Sequence, residues 1–260
     1  MNNAHEYSGR EAKHELNFRK WSESKHAQYF TPIKLAHTIA ECVSCFVPLS
    51  DLTVLDPSCG SGRLLKPFRD AGSRVLGVEL DRETAVYAKR ALGSDNVRVG
   101  DICDYRHHLK YKFDLVVANP PYGILWKPDG EFRTSRYDGS VESQSASLEI
   151  AAEALQYTGL LVAIIPTTTF TNAKDKQIKE YLFKQFYLIT RITLENLFLQ
   201  EYNIAPKVDL VFAQRFTSIP EQQASAAIEA LDYRDSDVHD RILEIVHEAA
   251  QAESCLLYTS

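Results

Sequence analysis

The chain has 260 residues, 45% hydrophobic and 25% charged, enough for one large or two small globular domains with a proper core. No apolar run reaches membrane-spanning length, and the polar start MNNAHEYSGREAKHELNFRKW lacks a signal-peptide core, so the reading is a cytoplasmic protein with no membrane partner. A net charge of −6 is unlike a free-standing duplex binder: either basic residues cluster on one face, or the main nucleic-acid-binding part lies elsewhere.

In chain order the patterning predicts a helix over Thr31–Phe46, with Thr31 as N-cap and Pro32 at the first helical position. The lone CxxC of Cys42 and Cys45 falls inside that helix. With five cysteines at irregular spacing and no second pair, it reads as buried thiols rather than a disulfide framework or a metal site. Strands follow at Leu52–Leu55, Arg74–Glu79, Val97–Gly100, Phe113–Ala118, Leu160–Ile165, Leu188–Thr193 and Lys207–Phe216. Helices are expected between them at Gly62–Ala71, Arg82–Leu92, Ser143–Tyr157 and Ala173–Phe186, and a late one near Asp237–Ala250. Short apolar strands separated by helices imply a buried parallel sheet with right-handed crossovers. The last two strands have a shorter link, which suits an antiparallel hairpin at one edge. The fold class is therefore α/β, doubly wound, on a mostly parallel seven-stranded sheet.

The most informative residues are Asn119-Pro120-Pro121-Tyr122, at the carboxyl end of the Phe113–Ala118 strand. An amide oxygen on Asn119 and the Pro120 carbonyl can each accept a hydrogen bond from a planar NH2 group. The prolines hold the second acceptor in place, and Tyr122 offers a flat face for a substrate π-system. That set suits methylation of a weakly nucleophilic amino nitrogen. Upstream, Asp56-Pro57-Ser58-Cys59-Gly60-Ser61-Gly62 follows the first strand, where glycines allow a ligand close approach to the next helix. It is neither GxGxxG nor a P-loop, since Arg63 comes next; an acid opening the loop suits a cationic group rather than phosphate. Glu79 ends the second strand, where doubly wound folds bind ribose hydroxyls, and Asp101, followed by Ile102, ends the third. Each acid singly reads as a turn or cap residue. Three acids at the ends of three successive strands, with NPPY at the fourth, read as one site.

With those motifs in that order, the chain resembles the gamma group of S-adenosylmethionine-dependent N6-adenine DNA methyltransferases, which includes type I modification subunits and fused restriction-modification enzymes. The resemblance covers about Lys25 to Phe216 and includes Gln28-Tyr29-Phe30-Thr31-Pro32, a segment the family closes over the methionine part of its cofactor. It implies a Rossmann-like methyltransferase fold and S-adenosyl-L-methionine held by Tyr29, Thr31, Asp56, Ser58, Gly60, Glu79, Asp101 and Ile102. It further implies catalysis by Asn119 to Tyr122 on an adenine flipped out of double-stranded DNA, stacked on Tyr122 and Phe198. Phe198 reads equally well as a core residue between Leu197 and Leu199. RNA and protein-glutamine amino methyltransferases share NPPY and remain open, as does a cofactor-binding DNA-recognition subunit that no longer catalyses. Asn119 leans toward adenine over cytosine N4, and the absence of any Pro-Cys pair argues against C5 chemistry.

The loop Gly123–Ser140 carries Lys127, Arg133 and Arg136, which suit phosphate tracking as well as they suit a solvated loop. The expected organisation is a polar extension over 1–24, a catalytic domain over 25–218 and the helical start of a truncated region over 219–254. A six-residue tail follows over 255–260, matching what a common transposase adapter encodes. Target reading is then expected from a missing C-terminal recognition domain or a specificity subunit.

Overall fold

A computed structural model describes residues 29–216, apart from 129, 137, 172–177, 179–180, 182–183 and 204–205, together with 236–251 and 257–259. Its first half contains α1 (Ile33–Ser44), β1 (Thr53–Asp56), α2 (Lys66–Asp70), β2 (Arg74–Glu79), α3 (Arg82–Leu92), β3 (Val97–Val99), α4 (Ile102–Leu109) and β4 (Phe113–Ala118). Then come the short strands β5 (Leu125–Trp126) and β6 (Val141–Glu142), α5 (Ser143–Ala154), β7 (Leu155–Pro166), α6 (Thr168–Thr171) and β8 (Phe186–Glu195). The chain closes with α7 (Leu199–Tyr202), β9 (Val208–Arg215), α8 (Ser236–Gln251) and β10 (Leu257–Thr259).

Alternation inside the strands sets the layers, because successive side chains leave a strand on opposite faces. Val54, Leu115, Val117, Val162 and Ile164 join one core with Leu35, Ile39 and Val43 of α1, Phe68 of α2 and Ala88 of α3. Leu55, Val116, Leu161, Ala163 and Ile165 point the other way, onto Leu109 of α4 and Leu148 and Ala151 of α5. Burying one such Leu, Ile or Val side chain contributes roughly 1.5–3 kcal/mol, so both faces must be covered.

The sheet order is β10-β8-β9-β7-β4-β1-β2-β3, with β3, β2, β1, β4 and β7 parallel to their neighbours in that run. All seven expected strands are present, and the fold is the expected Rossmann-like one. The late hairpin is antiparallel at one edge, as expected, with β9 between β7 and β8. One detail differs. An eighth strand, β10, pairs Leu257–Thr259 with Thr193–Glu195 of β8. From β1 the chain winds out to β3, then returns to β4 on the other side of β1. The carboxyl ends of β1 and β4 therefore flank the crevice where such sheets bind ligands.

Local differences have local causes. α1 begins at Ile33 with Pro32 as its N-cap and no side-chain cap, so Thr31 does not cap it. α2 is shorter than expected because the residues before Lys66 are spent on turns. α4, not expected from the sequence, is capped by Asp101, which accepts from the Cys103 amide. α8 places Ile242, Ile245 and Val246 in the same core as α1, so the helix expected to open a further region packs on this one. Most of the Ala173–Phe186 helix, together with Gln28 and the 1–24 extension, lies outside the described residues. Among the described residues no helix is long and apolar enough to cross a membrane.

Candidate active site

The loop after β1 is folded by its own polar groups. Asp56 is 2% exposed and its Oδ1 accepts from the Ser58 amide at 3.0 Å. The Cys59 amide reaches across to the Val78 carbonyl at 2.9 Å, tying the loop to β2. Gly60 has φ +55, and a Cβ there would stand 2.7 Å from the Phe30 ring, so both conformation and space require glycine.

Glu79 joins two loops. Its Oε2 accepts from the Gly60 amide and its Oε1 from the Asp81 amide, both at 2.8 Å, while the residue is 3% exposed. Burial, reinforced by the nearby Glu79 charge and opposed by the Ser58 amide, raises the Asp56 carboxyl from its ordinary 3.8 to about 7.

An open cavity joins these loops to the turn Asn119-Pro120-Pro121-Tyr122. Its wall brings together Tyr29, Thr31, Asp56, Ser58, Gly60, Glu79, Asn119 and Pro121 from the residues expected by sequence. Phe30, Cys59, Ser61, Arg63, Leu64, Leu80, Asp81 and Ile124 complete it. Phe30, Cys59 and Ser61 belong to the two motifs already quoted, and Leu80 has a local signal of its own: an apolar residue directly after a strand-end acid, here 63% exposed. The Ser58 and Ser61 hydroxyls are buried without a protein partner among the described residues. Two buried carboxylates, Asp56 and Glu79, beside two orphan hydroxyls fit a ligand carrying both a cation and a diol.

Asn119 is half-buried at the end of β4. Its Nδ2 donates to the Tyr29 carbonyl at 2.8 Å and to Thr31 Oγ1 at 3.2 Å. Its Oδ1 accepts from the Tyr122 hydroxyl at 2.6 Å; that hydroxyl also lies 3.1 Å from the Ile164 carbonyl. Burial pushes the Tyr122 phenol above its ordinary range, so it stays a neutral donor. The turn is clamped from below by the start of α5. Ser143 Oγ donates to the Pro121 carbonyl at 2.6 Å, and the Gly123 amide donates to Gln144 Oε1 at 3.0 Å.

Five expected residues stand away from the cavity wall. Pro120 is buried behind the turn. Asp101 and Ile102 form the cap and first residue of α4. Phe198 is 0% exposed, its ring 5.6 Å from Tyr29 and 6.0 Å from Tyr202, so in this structure it is a core residue with no open face for a base. Tyr122 likewise packs its ring partly on the core.

The fold is Rossmann-like, with the cavity at the carboxyl ends of its parallel strands. The model of the N-6 DNA Methylase family matches residues 15–223, and the chain belongs to that family. It is 27% identical over 185 residues to the modification methylase CviBIII of Paramecium bursaria Chlorella virus NC1A, covering 69% of this chain and 48% of that protein. It is 33% identical over 135 residues to the type I restriction enzyme MjaVIII methylase subunit of Methanocaldococcus jannaschii, covering 44% and 22% respectively. The fold is shared with a Listeria monocytogenes protein described as a class I S-adenosylmethionine-dependent methyltransferase, at TM-score 0.60 and 18% identity, over 90% of this chain and 81% of that one. The chain thus spans less than half the length of these two curated relatives.

Proposed function

We propose that this chain is the catalytic part of a site-specific DNA methyltransferase, of the gamma group, that transfers a methyl group from S-adenosyl-L-methionine to N6 of a flipped-out adenine. The observation that carries the reading is the Asn119 amide. Its NH2 is turned away onto Tyr29 and Thr31, which leaves Oδ1 as the acceptor for a substrate amino group beside the cavity. Asp56, Ser58, Ser61 and Glu79 would hold the cofactor, which supplies an electrophilic sulfonium methyl when bound. Asn119 Oδ1 and the Pro120 carbonyl would each accept a hydrogen bond from the target amino group, whose methylated cation then releases one proton to water, and Tyr122, Ser143 and Gln144 keep that turn rigid. No strong general base is needed, since the alkylated amino group is acidic. Tritiated S-adenosylmethionine with unmethylated plasmid DNA, digested to nucleosides, should put label in N6-methyldeoxyadenosine. Label in N4-methylcytosine, in RNA or in a glutamine peptide instead would overturn the assignment.

Target reading is proposed to come from a further domain or a specificity subunit, which the acidic balance of this chain and its partial span of the relatives both support. Specific readout tightens binding by about a thousandfold or more over random duplex. A gel-shift comparison with residues 1–260 alone should show no such preference.

Removing Glu79 should weaken cofactor binding by roughly 1.5–3 kcal/mol, the worth of a charged acceptor for ribose hydroxyls. The structure adds a second effect: Glu79→Ala strands the buried Gly60 and Asp81 amides, so its melting temperature should fall as well. Unchanged affinity by calorimetry in the folded variant would remove Glu79 from the site.

Asp56 sets a pH dependence. Its folded value of about 7 lies above the ordinary 3.8, so the proton is held more tightly in the fold. That contribution to stability is full below about pH 4 and is lost as pH rises through 7. A ligand ammonium needs the opposite state, the carboxylate. Cofactor affinity should therefore rise by up to about tenfold per pH unit between 5 and 7, then level off. Asp56→Asn should flatten the profile; a flat profile in the unaltered protein would count against this contact.

A further inference from the structure

The Thr31 hydroxyl has a use that its place at a helix start does not explain. It is 4% exposed, it does not cap α1, and it accepts from Asn119 Nδ2 at 3.2 Å. The Tyr29 carbonyl accepts from the same nitrogen at 2.8 Å. A carbonyl can only accept, so the amide has one workable orientation: reversing it would set Oδ1 against the Tyr29 oxygen. On the other side, the Tyr122 hydroxyl donates to Oδ1 at 2.6 Å.

The segment that holds the amide is itself fixed from behind. The Phe30 amide donates to the Tyr202 hydroxyl at 2.9 Å. The Tyr29 ring meets Tyr202 edge-on at 5.4 Å and packs on Phe198 at 5.6 Å. Arg63, from the loop after β1, pairs with Glu201 of α7 at 3.1 Å. α7 and the residue just before it therefore brace both the Tyr29–Thr31 segment and the Asp56–Gly62 loop.

We propose that Thr31 and the Tyr29 carbonyl are positioning groups for Asn119, so that the segment bordering the cofactor cavity also sets the orientation of the catalytic amide. This rests on the role given to Asn119 above. The consequence is that the state of this segment reaches the acceptor for the target amino group through two hydrogen bonds. Thr31 then acts on the chemical step more than on cofactor affinity.

The test compares Thr31→Val, Thr31→Ser and Asn119→Ala. Thr31→Val keeps shape and removes the hydroxyl, and the single-turnover rate on unmethylated plasmid DNA at saturating S-adenosylmethionine should fall about tenfold. Cofactor affinity by calorimetry should move by less than about threefold, and Thr31→Ser should restore most of the rate. In 15N NMR the Asn119 side-chain amide, identified by its disappearance in Asn119→Ala, should shift and exchange faster in Thr31→Val. An unmoved Asn119 amide signal, or lost cofactor affinity with an unchanged rate, overturns the proposal. The NMR readout does not depend on the reaction. Normal turnover in Asn119→Ala with the amide still moved by Thr31→Val would instead sink the functional reading and leave the coupling standing. Should Thr31→Val fail to fold, Tyr202→Phe keeps the ring and releases the Phe30 amide; a smaller rate loss of the same pattern is expected, and none would refute the bracing.

Discussion

Asn119→Ala should lower turnover by about a hundred- to a thousandfold while leaving cofactor affinity within a few-fold of normal. The lost atom is Oδ1, the acceptor proposed above for the target amino group. A preorganised acceptor removed from a site of this kind is worth roughly 2.7–4 kcal/mol of barrier. The geometry adds a structural cost. The variant also deprives the Tyr29 carbonyl, Thr31 Oγ1 and the Tyr122 hydroxyl of a partner. The site is half-buried and water can replace part of this, so the stability loss should stay near 1–2 kcal/mol. Asn119→Asp makes the sharper control. It keeps an acceptor and the shape, yet sets a carboxylate oxygen against the Tyr29 carbonyl, so it too should lose most of the rate. Single-turnover kinetics at saturating cofactor, paired with calorimetry, separates chemistry from binding. Near-normal turnover in Asn119→Ala would mean the amide is not the acceptor.

The parallel strands were legible because a strand buried on both faces reads as an unbroken apolar run. Phe113–Ala118 and Arg74–Glu79 match their expected bounds residue for residue. Arg82–Leu92 was equally plain because both its ends are signalled: Asp81 accepts from the Thr84 amide, and Gly93, at φ 94, stops it. What the sequence hid was chiefly non-local. That β9 inserts between β7 and β8 depends on pairing across the sheet, not on either strand's pattern. Phe198 could face a base or the core on its local pattern; Tyr29, 169 positions earlier and packed against it with ring centroids 5.6 Å apart, decides for the core. In α4 the run ICDYRHHL buries only Leu109, so its periodicity is weak, and its one clear signal, the cap residue Asp101, fits a ligand contact equally well. Thr31, directly before a proline at a helix start, has the local signal of a cap, whereas its partner is 88 residues away. The clamp at Ser143 and Gln144 left one faint trace, a start of helix α5 that is polar and yet wholly buried.

Glu149 shows how much can rest on a residue no motif marks. It lies mid-helix in α5, is 0% exposed, and collects four donors. Arg106 Nη2 and the Arg133 amide reach Oε1 at 2.7 and 2.9 Å, while the Thr134 amide and hydroxyl reach Oε2 at 3.0 and 2.9 Å. Arg106 also pairs with Glu153, donates to the Glu131 carbonyl at 2.9 Å, and stacks 4.1 Å over the Phe132 ring. This network holds the part of the loop after the catalytic turn that presents the exposed Arg133. Glu149→Ala removes one partner of a buried ion pair and strands two backbone amides, which should cost about 3–5 kcal/mol of stability. Arg106 keeps Glu153, so the lower end of that range is the better expectation. Glu149→Gln fills the same volume and keeps one acceptor, but turns an NH2 toward other donors, so it should recover only part of the loss. Urea unfolding would measure the total, and amide hydrogen exchange at Arg133 and Thr134 would locate it, since those two amides should lose protection well before the strands do. An unchanged urea midpoint with protected Arg133 and Thr134 amides would show that the loop is held by something other than this carboxylate.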